Sequence, residues 1–222
     1  MLGIGSGFGD LAIEFSKHSK ESYGIEPGRH LFNISNLKKE YYGRRNVHFE
    51  LGSAEKLPYK DRFFDLVLSK TVLEHVKDVE KSIKEMSRVT KPGGLVYIEA
   101  PNYFWIKEGH YNIFMLPLMP KSLFKLYARI LGKDPSFIDH INYITPSWIR
   151  NELESNGFEI HDLYREELRR ILIESDLREV ASGSKLKWLI CMLYALRLNG
   201  LIFWVFTTLG FCPSIVMLGK KK

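Results

Sequence analysis

Glycine recurs at every second position in Leu2-Gly3-Ile4-Gly5-Ser6-Gly7-Phe8-Gly9-Asp10, and a helical pattern starts directly behind it. That order leaves few folds open. Leu2 and Ile4 read as the end of a strand. The glycines read as a tight turn. Leu11, Ile13 and Phe15, set among Ala12, Glu14, Ser16 and Lys17, read as the first helix. Glycine is required where the backbone turns sharply or a ligand must approach the main chain. A helix start behind such a turn offers unpaired N–H groups and a positive dipole end. The dinucleotide fingerprint G-x-G-x-x-G fails, because Phe8 or Asp10 stands where its last glycine is needed. The phosphate loop fails as well, since no Gly-Lys-Ser/Thr follows. What remains is Gly5-x-Gly7-x-Gly9.

The next segments repeat the strand–helix alternation. Ser22-Tyr23-Gly24-Ile25-Glu26-Pro27 reads as a strand ending in an acid. Glu26 lies roughly 20 residues past the glycine turn, the spacing at which an acid can accept hydrogen bonds from ribose hydroxyls. A plain surface glutamate is the alternative. Leu31, Ile34, Leu37 and Tyr41 mark a helix, Val47-His48-Phe49-Glu50-Leu51 a strand, and residues 63–69 an apolar strand buried on both faces. Ile83, Met86 and Val89 mark a further helix, stopped by Lys91-Pro92-Gly93-Gly94 before a strand at residues 95–101. Five such alternations predict βαβ crossovers and a doubly wound, Rossmann-like, mostly parallel sheet of seven strands. With 222 residues the chain suits one α/β domain. Ligands in such sheets bind beyond the carboxyl ends of the strands. Gly5, Gly7, Gly9, Glu26, Ser53–Glu55 and Ser69 all fall at those ends.

This set resembles the class I S-adenosylmethionine-dependent methyltransferases, of the methyltransferase type 11 or quinone-biosynthesis kind. The resemblance rests on Gly5-x-Gly7-x-Gly9, on Gly52-Ser53-Ala54-Glu55-Lys56-Leu57-Pro58-Tyr59, on Leu73-Glu74-His75-Val76 and on the Lys91-Pro92-Gly93-Gly94 junction. It implies S-adenosylmethionine as cofactor. It implies Gly5, Ser6, Gly7, Gly9, Glu26, Pro27, Ser53, Ala54, Glu55, Ser69 and Lys70 as the residues around it. Ser53 takes the place of the family's aspartate at the adenine edge, and Gly3 the place of an acid that orients the loop. His75 reads as a helix-start histidine bracing its loop, with a base as the alternative. The Asn/Asp-Pro-Pro-Tyr motif of nucleic-acid amino-methyltransferases is absent, so no nucleic acid is expected as substrate.

Residues 102–144 are too long for an ordinary connection and are read as a lid over the methyl-donor end. His110 and His140 are its candidate bases, Tyr111 and Tyr143 its candidate wall residues, with simple stitching of the insertion as the alternative. Glu108-Gly109-His110-Tyr111 followed by Leu116-Pro117-Leu118-Met119-Pro120 is similar to methyltransferases of bacterial cell-surface glycan or lipid biosynthesis. Pro120 can open a helix with Leu123, Leu126, Tyr127 and Ile130 on its apolar face and Lys121, Lys125, Arg129 and Lys133 on a basic one. Such a helix suits an anionic membrane surface; a core helix with a solvated face is the alternative.

Residues 145–222 complete the domain: a helix from Thr145-Pro146-Ser147 to Asn156-Gly157, a sixth strand at 158–164, a charged helix at 166–180, an apolar helical insertion within 188–209 and a seventh strand near 214–219. The apolar insertion dips into a membrane interface, lines a lipid-substrate groove or packs as a buried cap. Residues 1–101 form the cofactor-binding half. Met1 leaves about three residues before the turn against a usual five or six per strand, so an N-terminal truncation is expected. No signal peptide precedes the turn, and Cys191 and Cys212 lack metal-ligand spacing. The chain is expected in the cytoplasm, at the inner face of the membrane if the apolar segments touch lipid, and without a metal. Methyl transfer to a small lipid-linked or amphiphilic acceptor is the first functional reading. Transfer to a soluble metabolite is the second, and a non-catalytic interaction module the third.

Overall fold

The computed structural model describes residues 1–174, 192, 195, 196, 198–208, 210 and 212–222. Five strands and three helices alternate first: β1 (Leu2–Ile4), α1 (Asp10–Phe15), β2 (Ser22–Glu26), α2 (Arg29–Tyr41), β3 (Val47–Leu51), β4 (Phe64–Lys70), α3 (Val79–Val89) and β5 (Thr90–Pro101). A two-stranded ribbon, β6 (Lys107–Glu108) and β7 (Ile113–Phe114), and α4 (Lys121–Ile130) follow. Then come a 3-10 turn (Ser136–His140), α5 (Pro146–Ser155), β8 (Phe158–Asp162), α6 (Leu163–Arg169), a π turn (Arg170–Glu174), α7 (Asn199–Thr208) and β9 (Ser214–Lys221).

The main sheet runs β3-β2-β1-β4-β5-β9-β8. Its first five strands pair in parallel, and β9 is antiparallel to both neighbours. This is the expected doubly wound sheet. The order reverses between β1 and β4, which opens a crevice beyond the ends of β1, β2 and β4. Its core joins Leu2, Ile4, Val67 and Ile98 on the strands to Ile83, Met86 and Val89 of α3 and Ile149 and Leu153 of α5. The three α3 residues predicted from periodicity are fully buried, each contributing about 1.5–3 kcal/mol. Asp78 caps α3 by accepting from the Lys81 N–H at 2.9 Å. The insertion has an apolar cluster of its own, built on Tyr103, Met115, Phe124, Ala128, Ile138 and Ile141.

Several boundaries differ from expectation. β5 starts at Thr90, because its register jumps from Phe64↔Thr90 to Leu66↔Leu95 and takes up Lys91–Gly94 as a bulge. β8 stops at Asp162, whose side chain accepts from the Arg165 N–H and starts α6. β9 runs on to Lys221 beyond the expected 214–219. Of the charged helix expected at 166–180, only α6 and the π turn lie within the described residues. Of the apolar stretch expected at 188–209, α7 is the main described part, and it has no fully buried residue.

Two amphipathic readings are corrected. On α2, Leu37 and Tyr41 are exposed and Ser35 is the fully buried residue, because Gly9 and Phe49 pack closely there. On α4, Leu123, Leu126 and Ile130 face outward and Phe124 and Ala128 are buried in the insertion's cluster. Both faces of α4 are apolar enough to be the inner one, and the larger ring of Phe124 takes the interior. Among the described residues no helix is long and apolar enough to cross a membrane.

Gly9 and Gly7 separate the structural from the functional part of the opening turn. Gly9 has φ +81°, and a Cβ there would meet the Phe49 ring at 2.5 Å. Gly7 has φ +54°, with nothing within 4 Å of a Cβ. Gly9→Ala is therefore expected to lower stability by about 3 kcal/mol, the left-handed strain and the clash together. Gly7→Ala is expected to cost about 1 kcal/mol. Paired thermal or urea unfolding curves check the difference.

Candidate functional site

The site begins with Glu26. Standing at the end of β2 and 7% exposed, it turns its carboxylate back across the sheet edge. Oε2 accepts from the Gly7 N–H at 2.9 Å, and Oε1 accepts from the Gly28 N–H at 2.9 Å. The main chain adds two ties: the Ser6 N–H donates to the Ile25 carbonyl at 2.9 Å, and the Gly52 N–H donates to the Glu26 carbonyl at 3.1 Å. One residue thus positions the turns after β1, β2 and β3. Each carboxylate oxygen keeps a second lone pair for a hydroxyl donor.

Beside Glu26 lies a cavity of roughly 490 Å3. Ile4, Ile25, Leu31, Ala54, Val72 and Val76 give it an apolar wall. Gly5, Gly7, Glu26, Pro27, Ser53, Glu55 and His75 also border it. Seven of the residues expected around a cofactor therefore meet here: Gly5, Gly7, Glu26, Pro27, Ser53, Ala54 and Glu55. The Glu55 carboxylate accepts from the Lys77 N–H at 2.8 Å. Its pKa balances burial, which raises it, against backbone and Ser53 hydrogen bonds that lower it further, so the group sits below its ordinary value. Glu55 thereby joins the loops after β3 and β4.

The other four expected residues do not border the cavity. Gly9 caps α1 and donates to the Ser6 carbonyl at 2.8 Å. Ser6 and Ser69 hold their Oγ atoms buried without a hydrogen-bond partner. Lys70 pairs with Glu99 at 3.3 Å, because alternation along β4 turns it away from Ser69. The cavity itself, with an apolar wall, a glycine turn open to approach and an acid, fits an adenosyl group.

Sequence reasoning missed the second feature. The loop after β4 brings Glu74 and His75 against His110 of the lid. His110 Nε2 lies 3.3 Å from His75 Nε2. His110 Nδ1 lies 2.6 Å from Glu108 Oε1. His75 Nε2 lies 3.8 Å from Glu74 Oε1. Burial pushes the Glu74 carboxyl up to about 7. Burial, then the neighbouring His110, holds His75 below its ordinary value. The Glu108 hydrogen bond holds His110 above its own. The absence of ligand spacing in the sequence led to an expectation of no metal cluster. The fold nonetheless brings Glu74, His75 and His110 together, each with a ligand atom within 4.8 Å of the others. A glutamate beside a histidine in Leu73-Glu74-His75-Val76 was the available signal, but its partner lies 35 residues on.

His140 is not part of this group. It is exposed at the end of the 3-10 turn and does not border the cavity, so its expected role as a base is not supported. Tyr111 donates its hydroxyl to the Asp134 carbonyl at 2.7 Å. Tyr143 stacks on Tyr103 at 4.7 Å, and both hydroxyls are buried without a partner. These two tyrosines belong to the lid's own packing. Asn142 holds the lid down: its Nδ2 donates to the Val76 carbonyl at 2.6 Å and the Leu73 carbonyl at 3.2 Å, and its N–H donates to the Glu74 carbonyl at 2.8 Å.

Comparison with known proteins finds methyltransferases similar to this chain in sequence and in fold. Residues 2–98 match the family described as "Methyltransferase domain". The uncharacterized methyltransferase YcgJ of Bacillus subtilis is 33% identical over 94 residues, 42% of this chain and 37% of that protein. A crystal structure of YcgJ superposes with a TM-score of 0.60 at 19% identity, covering 100% of this chain and 91% of that one. Demethylmenaquinone methyltransferase of Geobacillus kaustophilus is 34% identical over 136 residues, 58% of each chain. A Haemonchus contortus phosphoethanolamine N-methyltransferase 2, solved with S-adenosyl-L-methionine, superposes with a TM-score of 0.59 at 19% identity, over 100% of this chain and 48% of that one. The matches to the two curated relatives span between about a third and three fifths of their length. The superpositions, at such identity, speak for the fold.

Asn142→Ala is expected to leave the Leu73 and Val76 carbonyls unpaired and to cost about 1–3 kcal/mol. Hydrogen exchange should quicken at residues 73–76 and across the lid, and stay unchanged in β1–β3.

Proposed function

We propose, from the premise that this chain belongs to the class I S-adenosylmethionine-dependent methyltransferases and takes their cofactor, that it methylates a small amphiphilic or lipid-linked acceptor beneath the lid. The observation that carries the cofactor site is the meeting of Gly7, Glu26, Ser53 and Ala54 on one cavity. In this reading the two free lone pairs of Glu26 take the ribose hydroxyls. Ile25, Ala54 and Val76 sandwich the adenine, and Ser53 meets its edge. Gly7, lacking a side chain, lets the methionine half approach the turn.

The sulfonium supplies an electrophilic methyl when bound. The protein's task is to hold the acceptor in line with it and to exclude water, worth several kcal/mol of the barrier. We assign residues 102–144 that covering role, and the Glu74–His75–His110 group the activation of an acceptor hydroxyl. His140 is not proposed as a base.

The amphiphilic acceptor rests on the lid's outer face. Phe114, Leu116, Leu123, Leu126 and Ile130 are 54–73% exposed, and the exposed basic residues Arg129 and Lys133 follow on the adjoining face and end of α4. Exposed apolar side chains beside cations suit an anionic lipid surface. α7 adds Leu201 and Trp204, 56% and 61% exposed. The name of the Geobacillus relative points the same way.

Titration calorimetry with S-adenosylhomocysteine should show one site per chain. Glu26→Gln, which puts a donor against the Gly7 or Gly28 N–H, should weaken it at least tenfold; equal affinity removes the ribose role, and no binding to the original chain removes the enzyme reading. The chain should float with anionic vesicles and less with neutral ones. Failure to float transfers the proposal to a soluble metabolite. Labelled methyl transfer into a lipid extract identifies the acceptor.

A further inference from the structure

We infer that Glu74, His75 and His110 form a binding site for a divalent transition-metal ion of the zinc class, shared between the loop after β4 and the lid and bordering the cofactor cavity. The argument starts from His110. Its Nδ1 is 2.6 Å from Glu108 Oε1, and the Glu108 carboxylate, 3% exposed as a residue, also accepts from the Tyr111 N–H at 2.7 Å. A histidine whose Nδ1–H donates to a carboxylate presents its Nε2 lone pair outward. This is the arrangement that orients metal-bound imidazoles.

The Nε2 lone pair meets His75 Nε2 at 3.3 Å. Two nitrogens bound to one tetrahedral ion at 2.0–2.1 Å stand about 3.3–3.4 Å apart. Glu74 Oε1 lies 3.8 Å from His75 Nε2, and a ligand oxygen of Glu74 lies within 4.8 Å of both histidine nitrogens, so that closing in by its carboxyl completes a third vertex. The independent observation is Glu74 Oε2, buried with no hydrogen-bond partner in a residue 1% exposed. A buried carboxylate oxygen left unpaired is costly unless a cation or donor meets it.

Phe137 packs beside both imidazoles, at 5.4 and 5.2 Å between ring centres, while the pair stays open to solvent and so to an entering ion. Two nitrogens and one oxygen suit zinc and its neighbours over calcium or magnesium. Three protein ligands leave a fourth position, as in zinc sites that bind water or substrate. His75 borders the cofactor cavity, so an acceptor oxygen taken at that position would be held and polarised there. That role rests on the methyl-transfer reading; the binding of the ion does not. The ion would also bridge the loop after β4 to the lid.

The test uses the full chain, untagged and stripped with a chelator, titrated with Zn2+ against a chromophoric competitor in the absence of cofactor. One equivalent should bind. His75→Ala and His110→Ala should each weaken it at least 100-fold. Glu108→Gln, which touches no ion, should weaken it about 10–100-fold. His18→Ala, at an exposed position in the loop after α1, should leave it unchanged. Circular dichroism reports whether each variant folds. Co2+ gives a readout on the original chain alone: a strong visible band marks a four-coordinate ion, as three protein ligands and one water would give. Sub-stoichiometric binding, the weak band of a six-coordinate ion, or equal affinity in folded His75→Ala and His110→Ala overturns the inference. Because no methyl donor is present, that result leaves the methyltransferase reading intact.

Discussion

The Glu26 carboxylate is the tie on which the rest of the site depends. A parallel sheet delivers its strand ends to one rim, but it leaves the loops beyond those ends free to diverge. Glu26 removes that freedom by accepting from the turn after β1 and from the start of α2 at once. Both bonds are made by a side chain that is only 7% exposed, where water competes little for its oxygens. The Gly52 N–H to its carbonyl adds the loop after β3. The surface that receives a ligand is thus rigid before any ligand arrives, which reduces the ordering cost of binding.

The next loop is held differently. Arg88 of α3 donates to the carbonyls of Leu57 and Tyr59 and to the carboxylates of Glu85 and Asp61. Glu85 in turn accepts from the Leu57 N–H. A helix on one face of the sheet thereby fixes the segment that follows Ser53–Glu55. The lid is fastened at both of its ends. Asn102 Nδ2 donates to the carbonyls of Gly210 and Cys212 at 2.7 Å each, and its Oδ1 accepts from the Phe104 N–H. Asn142 fastens the far end to the loop after β4. Between these pins the lid has its own apolar cluster, so it can hold a shape while its outer face stays exposed.

Much of the cofactor side was legible from local pattern. The alternating glycines and the Lys-Pro-Gly-Gly junction act within a few residues of themselves, and the acid at the end of β2 stands at a recognisable spacing, 19 residues, from the Gly7 N–H that it meets. The periodicity of Ile83, Met86 and Val89 gave the buried face of α3 because its other face is charged. The same reasoning failed on α4, where Phe124 and Ala128, beside the basic residues Lys125 and Arg129, are buried in place of Leu123, Leu126 and Ile130. For Lys70 the structure adds a partner that local pattern does not announce, Glu99 on the neighbouring strand.

The sequence by itself determined the strand–turn–helix order, the ends at which ligand-binding residues gather and the presence of an insertion after β5. These follow from periodicity and turn chemistry, which are local properties of the chain. Only the tertiary structure decided that Glu74 and His75 meet His110, that Glu108 orients that histidine, and that His140 stays outside. Those meetings join residues about 35 positions apart through an irregular segment, whose path is set by burial of its apolar cluster and by the Asn142 hydrogen bonds. No spacing along the chain carries that information.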